Sequence, residues 1–398
     1  MPSQVIKRKS RGFICINAHP EGCRHNVEEQ IDFIQSESDE PLRGVRNALV
    51  IGASTGYGLA SRIAAAWGFR ARTLGVFFER APEGVKTATA GYYNTVAFHE
   101  FAKRDGLVAA SLNGDAFSNQ TKEAAIQIIE REFAPIDLVV YSLASPRRIH
   151  PDTGKVFSSA LKPVGQAFTN KTIELDSEKV VPVKLEPASE EEISETIAVM
   201  GGEDWSRWIE VLLANDLLAP GVRTVAYSYI GPEVTWPIYK DGTIGQAKKD
   251  LEKTAHRLDA KLVTERGGRA WLAVNKAVVT QASAAIPVVP LYISLLGPAL
   301  KSRELEEGPI EQMWRLFRDY FAGGSIAGID AAGRIRLDNR EMRSDVQDEI
   351  REKWPLVTTE NLREITGFAD FQRDFRRLFG FEVEGVDYDA PVETDLHW

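Results

Sequence analysis

At 398 residues, 43% hydrophobic and 26% charged, the chain can bury a core of enzyme size and exceeds one ordinary domain, which predicts two domains or one dinucleotide fold with large insertions. The formal charge of -9 and pI near 5.4 argue against a general binder of phosphate backbones, and the one basic run, Lys7-Arg8-Lys9 with Arg11, reads as solvated surface. Two cysteines, Cys15 and Cys23, cannot staple such a chain and lack CxxC spacing, so a reducing cytoplasm is expected; "MPSQVIKRKSRGFICINAHP" has no apolar run of signal-peptide length.

Residues 1–40 read as an N-terminal extension, with a strand-like run from Gly12 to Asn17 and a helical pattern around Val27 to Ile34. Next, "RNALVIGASTGYGLASRIAAAWGF" gives strand, glycine turn and helix; "RTLGVFFE" is a second strand, "GLVAASLNGD" a third, "TKEAAIQIIEREF" a helix and "IDLVVYSLA" a fourth strand. Strands this apolar, alternating with helices, imply a parallel sheet buried on both faces, and the right-handed crossover rule makes it a doubly wound α/β domain of Rossmann type.

Between about 146 and 215 the rhythm changes, with "AFTNKTIEL" and "KVVPVKLEP" suggesting an inserted hairpin. Ser189 with Glu192 makes a capping-box pattern, and "DWSRWIEVLLANDLL" is amphipathic. "RTVAYSYIG" reads as a strand, "AKKDLEKTAHRLDAKL" as a helix and "RAWLAVNKAVV" as a strand. Ala277 to Leu300 carries no charge, yet Pro287, Pro290 and Pro298 would break a membrane helix repeatedly, so a buried apolar pocket wall or lid is expected instead. Residues 41–300 thus read as the nucleotide-binding core, and 301–398 as a mostly helical region packed on it, with "PIEQMWRLFRDYFAG" and "ADFQRDFRRLFG" as apolar-periodic stretches.

The chemistry starts at "IGASTGYG", where Gly52, Gly56 and Gly58 stand between an apolar strand and an Ala-rich helix. Glycines permit the tight turn and the close approach of a pyrophosphate, which meets free N–H groups at the helix N-terminus; Ser54 and Thr55 add hydroxyl donors. Glu79, 21 residues after Gly58, is placed to accept hydrogen bonds from the adenosine ribose. Its charge favours NAD over NADP, while Arg80 beside it pulls the other way. Asp115, in "NGDAF", suits an adenine contact and is equally a plain turn residue.

Tyr239 and Lys248 stand nine apart, too far for the i,i+4 pair of a common reductase helix. Gly242 and Gly245 between them are poor helix residues, so Tyr239 is expected on a loop and Lys248 in the first turns of a helix from about Gly245 to Leu262. A lysine ammonium beside a phenol lowers the phenol's pKa and can bind the nicotinamide ribose; the phenol can then donate to an oxygen that becomes negative. Alone, Lys248-Lys249 reads more readily as a solvated helix face than as half of a catalytic pair. None of the six histidines sits in an HExxH-like cluster, so no catalytic metal is expected.

Together "GASTGYG", "LGVFFE", "NGDAF", "LVVYSLASPRR", "MGGEDW", the Tyr-x8-Lys spacing and "KAVVTQASAAIP" resemble the trans-2-enoyl-thioester reductases of the FabV type, an enlarged branch of the short-chain dehydrogenase/reductase superfamily. The resemblance runs from "RGFICINAHP" to the helical C-terminus. It implies NADH-dependent reduction of the C2=C3 bond of an enoyl-CoA or enoyl-acyl-carrier-protein thioester, the last step of each fatty-acid elongation cycle; separately from the resemblance, a cytoplasmic monomer is expected.

By the same resemblance Tyr239 matches the proton donor, Lys248 the ligand of the cofactor ribose and Tyr229 a substrate contact. Gly52, Ala53, Ser54, Thr55, Gly56 and Tyr57, Phe78 with Glu79, Asp115 with Ala116, Leu143 with Ala144, and Val278, Val279 and Thr280 match the NAD-contacting segments. Arg147 and Arg148 are candidate contacts for a carrier's phosphates, or surface-loop residues. Two other readings stand beside this one: reduction of a carbonyl, which normally needs Tyr-x3-Lys, and a non-catalytic NAD sensor on the same fold.

Overall fold

The first sheet strand, β1 (Asn47–Ile51), is Asn-Ala-Leu-Val-Ile, and its last four residues are fully buried. Such a strand needs cover on both faces, and the topology provides it. With β2 (Arg72–Phe77), β3 (Ala109–Asn113), β4 (Ile136–Tyr141), β5 (Leu218–Ser228), β6 (Arg269–Val274) and β7 (Arg334–Arg336) it forms a seven-stranded parallel sheet ordered β7-β6-β5-β4-β1-β2-β3. The computed structural model describes residues 3–12, 14–323 and 328–398.

The chain winds outward from β1 to β3, returns to β4 beside β1, and winds the other way to β7. A crevice therefore opens beyond the carboxyl ends of β1 and β4, where doubly wound sheets bind ligands. One face is covered by α1 (Pro20–Glu37), α2 (Gly56–Ile63), α3 (Ala90–Arg104) and a later helix at 309–316, through Val27, Ile31, Leu59, Ile63, Phe98, Phe101 and Trp314. The other is covered by α4 (Asn119–Ile128), α6 (Glu203–Ala214) and α7 (Thr243–Arg266), where Trp205, Trp208, Leu251 and Leu258 pack together, while α5 (Glu190–Met200) lies on α7.

The insertion between β4 and β5 holds two antiparallel hairpins, Arg147–Ile149 with Val156–Ser158 and Phe168–Glu174 with Lys179–Leu185. The expected capping box closes α5: Ser189 Oγ accepts the Glu192 N–H at 3.2 Å and Glu192 Oε2 accepts the Ser189 N–H at 2.9 Å. The charge-free segment becomes α8 (Gln281–Ala285) and α9 (Val289–Lys301), neither of them long and apolar enough to cross a membrane. Downstream, α10 (Pro309–Leu316), α11 (Ser344–Lys353), α12 (Leu362–Ile365) and α13 (Phe368–Arg377) follow. Leu291, Leu295, Val346, Ile350, Phe368 and Phe371 join α9 to these C-terminal helices in a third core.

Several boundaries differ from expectation. β5 starts at Leu218 rather than Arg223, and β6 stops at Val274, leaving 275–280 as a loop. α7 runs from Thr243 to Arg266, because Gly242 caps it and Gly267, at φ 62°, ends it. The extended run expected at 12–17 is a two-residue pairing of Ser10–Arg11 with Ile14–Cys15, and its residue 13 lies outside the described residues.

Candidate active site

Gly52 leaves β1 at φ 87° and Gly56 opens α2 at φ 51°, conformations that other residues adopt only with strain. Space forbids a side chain too. A Cβ on Gly52 would run into the Ser142 carbonyl at the end of β4, and one on Gly58 into the Gly52 carbonyl. Thr55, the N-cap, makes no side-chain capping bond, so the first N–H groups of α2 keep no side-chain partner there. A cradle a Cβ would fill, at a helix N-terminus and at the sheet's switch point, fits a dinucleotide pyrophosphate.

Three of the other candidate cofactor residues, Leu143, Thr280 and Glu79, come up to this turn. Leu143 Cδ2 lies 3.4 Å, and Thr280 Cγ2 4.0 Å, from ideal Cβ positions on Gly52 and Gly56 respectively. Glu79 follows β2, where Asn113 clamps its backbone: the Glu79 N–H donates to Asn113 Oδ1 at 2.9 Å and Asn113 Nδ2 to the Glu79 carbonyl at 2.8 Å. Ser54 Oγ donates to Glu79 Oε1 at 2.7 Å, and a Cβ on Gly91 would strike the same oxygen. The Arg80 guanidinium turns instead to the carbonyls of Ile16 and Thr87, each at 3.5 Å, so the carboxylate sets the charge of this corner. Phe78 is 78% exposed, Ala144 is exposed, and Ala116 is buried with its carbonyl accepting Lys122 Nζ at 2.8 Å.

Asp115 Oδ1 accepts the Phe117 N–H at 3.0 Å, which is turn chemistry. The 278–280 loop is shaped by Ser283, whose Oγ donates to the Val278 carbonyl at 2.9 Å, while Thr280 caps α8. Val278, Val279 and Thr280 all stay part-buried. Tyr57 behaves differently from its neighbours: its hydroxyl points inward, donating to the Lys276 carbonyl at 2.7 Å and accepting from Gln312 Nε2 at 2.8 Å. Its side chain thus ties the glycine turn to the loop after β6.

Tyr239 sits on the turn before α7, its N–H donating to the Thr235 carbonyl at 2.9 Å. Gly245 explains the spacing to Lys248. A Cβ there would collide with the carbonyls of Lys240 and Tyr239, so the helix that carries Lys248 packs directly on the turn that carries Tyr239, and among the described residues no hydrogen bond joins the two side chains. Lys248 Nζ donates to the Tyr227 carbonyl at the end of β5, at 3.1 Å. Two residues on, the Tyr229 ring meets that of Tyr239 edge-on, centroids 4.9 Å apart at 82°.

The expected lowering of the Tyr239 pKa by Lys248 is not what the site shows. Burial holds the Tyr239 phenol well above its ordinary value and draws Lys248 down to about 8. A phenol so placed stays protonated at neutral pH and arrives as a donor. Among the described residues its hydroxyl makes no side-chain hydrogen bond, whereas the Tyr229 hydroxyl donates to Glu341 Oε1 at 2.8 Å. Sequence reasoning missed Glu341 and Tyr292, which bond to each other beside Tyr229, and Gln312, which accepts the Lys276 N–H; Glu341 is one of three acids in "DNREMRSD", and nothing local marks it out. Arg148 corrects another expectation, being 2% exposed and ion-paired with Glu203 at 2.5 Å, which leaves Arg147 as the exposed member of the pair.

A family profile described as the trans-2-enoyl-CoA reductase catalytic region matches residues 86–321, and one described as the NAD(P)H binding domain of that enzyme matches 5–84. A third, described as an enoyl reductase FAD binding domain, matches 329–392. The residues there do not fit a flavin dinucleotide: no glycine turn leads from strand to helix, Val346, Ile350, Phe368 and Phe371 are packed against α9, and a Cβ on Gly367 would press on Pro298. The enoyl-[acyl-carrier-protein] reductase [NADH] of Opitutus terrae is 53% identical over 98% of this chain and 99% of its own. The trans-2-enoyl-CoA reductase [NADH] of Ruminiclostridium cellulolyticum is 50% identical over 99% and 98%.

Among solved structures, trans-2-enoyl-CoA reductase of Clostridium acetobutulicum with NADH superposes at a TM-score of 0.95, with 43% identity over 98% of each chain. The Treponema denticola enzyme with NAD gives 0.94 and 45%, over 99% and 100%. With two profiles on the catalytic and cofactor regions and relatives matching end to end, the chain belongs to the trans-2-enoyl-CoA reductase family.

Proposed function

We propose that this chain is an NADH-dependent reductase of trans-2-enoyl thioesters, carried on CoA or on acyl-carrier protein, acting at the last step of the fatty-acid elongation cycle. The observation that carries the reading is Tyr239, a phenol whose hydroxyl makes no side-chain hydrogen bond among the described residues and whose pKa burial raises, its ring set edge-on against that of Tyr229. NADH, when bound, supplies hydride to C3 of the enoyl group. Negative charge then gathers on the thioester oxygen, and Tyr239 hydrogen-bonds it as a neutral donor, so that protonation at C2 completes the reduction.

Lys248 holds the nicotinamide ribose. Gly52 through Tyr57 and Leu143 with Ala144 receive the pyrophosphate side, Phe78 with Glu79 and Asp115 with Ala116 receive the adenosine, and Val278 through Thr280 border the nicotinamide. Ala277, Ala284, Ile286 and Ile293 pack in the same apolar cluster that Tyr229, Tyr239 and Val279 border, which suits an acyl chain. Carbonyl reduction is disfavoured because Thr243 stands where that chemistry wants lysine, with its N–H donating to the Lys162 carbonyl at 3.0 Å. We read the protein as a cytoplasmic monomer, on its acidic composition and its two free thiols. Light scattering at the single-chain mass of 44.2 kDa is the expected result.

The test is loss of NADH and NADPH absorbance with crotonyl-CoA and dodecenoyl-CoA, beside Tyr239→Phe. Turnover should favour NADH and fall about 10²–10⁴-fold in the variant, with NADH affinity nearly unchanged. Undiminished turnover without the phenol excludes the assignment.

A further inference from the structure

A phenol has one proton to give, and that of Tyr229 is already engaged. Its Oη lies 2.8 Å from Glu341 Oε1, and the Tyr292 hydroxyl donates to the same oxygen at 2.6 Å. The other oxygen, Oε2, accepts the Ala277 N–H at 2.8 Å, just before the 278–280 loop. Glu341 has no exposed surface. Gln347 of α11 braces the arrangement, its Nε2 donating to the Glu341 carbonyl at 2.7 Å and to Tyr292 Oη at 3.1 Å. The segment before Glu341 is fastened to the end of β6, where the N–H groups of Leu337 and Asp338 donate to the Val274 carbonyl at 2.9 and 3.1 Å.

Stability does not account for a carboxylate in this position, since well-packed apolar residues commonly serve a core as well as a buried charge or better. What a carboxylate adds is direction. Ionised, it only accepts, so each O–H and N–H around it turns toward it. The Tyr229 proton then points at Glu341 and away from the cleft, while the Tyr239 hydroxyl, one ring away, has no such claim on it. Through Ala277, Lys276 and Tyr57 the same network reaches the glycine turn.

We propose that Glu341 is a positioning residue of the reduction: by holding the Tyr229 hydroxyl and the Ala277 N–H on one carboxylate, it keeps the substrate tyrosine and the cofactor loop in register and leaves Tyr239 as the tyrosine that donates to the thioester oxygen. This inference rests on the donor role given to Tyr239. Tyr229 becomes the ring that fixes the Tyr239 face and lends the substrate only lone pairs.

The experiment is Glu341→Gln in the full chain. A carboxamide keeps an oxygen for the Ala277 N–H but presents an NH2 group to Tyr229, which reverses that bond and frees the phenolic proton. NADH affinity, read by fluorescence titration, and KM for crotonyl-CoA should each stay within about threefold, while kcat falls about tenfold, the scale of a small misplacement of reacting groups. Tyr229→Phe should lower kcat similarly, and the double variant should be no worse than either single one. Unchanged kcat in Glu341→Gln overturns the proposal; so do effects of the two substitutions that multiply, or a fall in kcat matched by equal falls in NADH affinity and melting temperature.

If Glu341→Gln yields no folded protein, Gln347→Leu takes its place, since it removes the brace and leaves the carboxylate. Its expected kcat loss, about threefold, should vanish in a Tyr229→Phe background, and an equal loss in both backgrounds overturns the proposal. Full turnover in Tyr239→Phe would instead remove the donor role itself, a failure separate from that of Glu341.

Discussion

Lys248 shows how burial sets the working range of one side chain. Its ammonium is drawn by desolvation from the ordinary 10.5 to about 8, with the Tyr227 carbonyl at 3.1 Å as its hydrogen-bond acceptor. Between those values the folded chain holds fewer protons than the unfolded one, so this group opposes folding fully below pH 8 and progressively less as pH rises toward 10.5. Binding runs the other way, because a ribose ligand gains most from the charged donor. NADH affinity should therefore weaken as pH rises through about 8, and the step should be absent in Lys248→Met. Fluorescence titration across that range checks it, and a profile that keeps its step in the variant assigns the titration elsewhere.

At the scale of elements, the turn-to-helix junction at Tyr239 makes a sharper claim than the residue types alone. Gly245 is glycine because α7 lies against the carbonyls of the turn that carries Tyr239, whereas Gly297, within α9, has open space around its missing Cβ. Gly245→Ala must push the turn away. We expect kcat to fall at least tenfold with NADH affinity within a few-fold, since the glycine cradle is elsewhere. Gly297→Ala should raise stability by up to about 1 kcal/mol, the usual gain of alanine in a helix interior. Steady-state kinetics and denaturant titration of the pair decide it; equal behaviour of the two variants would remove the packing argument.

The same scale explains what was legible in the sequence. The apolar runs of β1, β2, β4 and β6 and the glycine turn declare themselves because their causes are local: strands buried on both faces, then a turn with no room for Cβ. The helix at 90–104 does not, because Tyr92, Tyr93, Asn94, Thr95, Phe98 and Phe101 are buried around much of its circumference and leave no clean stripe. β7 is only Arg-Ile-Arg, and its pairing with β6, beside a single bridge from Ile335 to Ile329, makes it a strand. Glu341 is invisible for a related reason, since its partners stand 64, 49 and 112 residues away in the chain.

Over the whole molecule, the C-terminal helices extend the catalytic core. Phe371 of α13, 3% exposed, lies in one apolar cluster with Leu291, Tyr292 and Leu295 of α9, and Tyr292 is a donor to Glu341. A cavity at Phe371 is thus connected to the site by one helix. Phe371→Ala should cost about 3–5 kcal/mol, the usual range for emptying an aromatic position in a core. Because NADH binds the folded chain, its presence at a hundredfold excess over Kd returns about 2.7 kcal/mol to either protein. The variant should accordingly melt well below the parent without cofactor, and NADH should bring the variant at least half of the way back to the cofactor-free parent. If α13 were a separate unit, NADH would raise the melting of the core and leave an early, cofactor-insensitive transition in the variant. Differential scanning calorimetry with and without NADH separates the two outcomes, and a single transition that moves as a whole is the result that joins the C-terminal helices to the site.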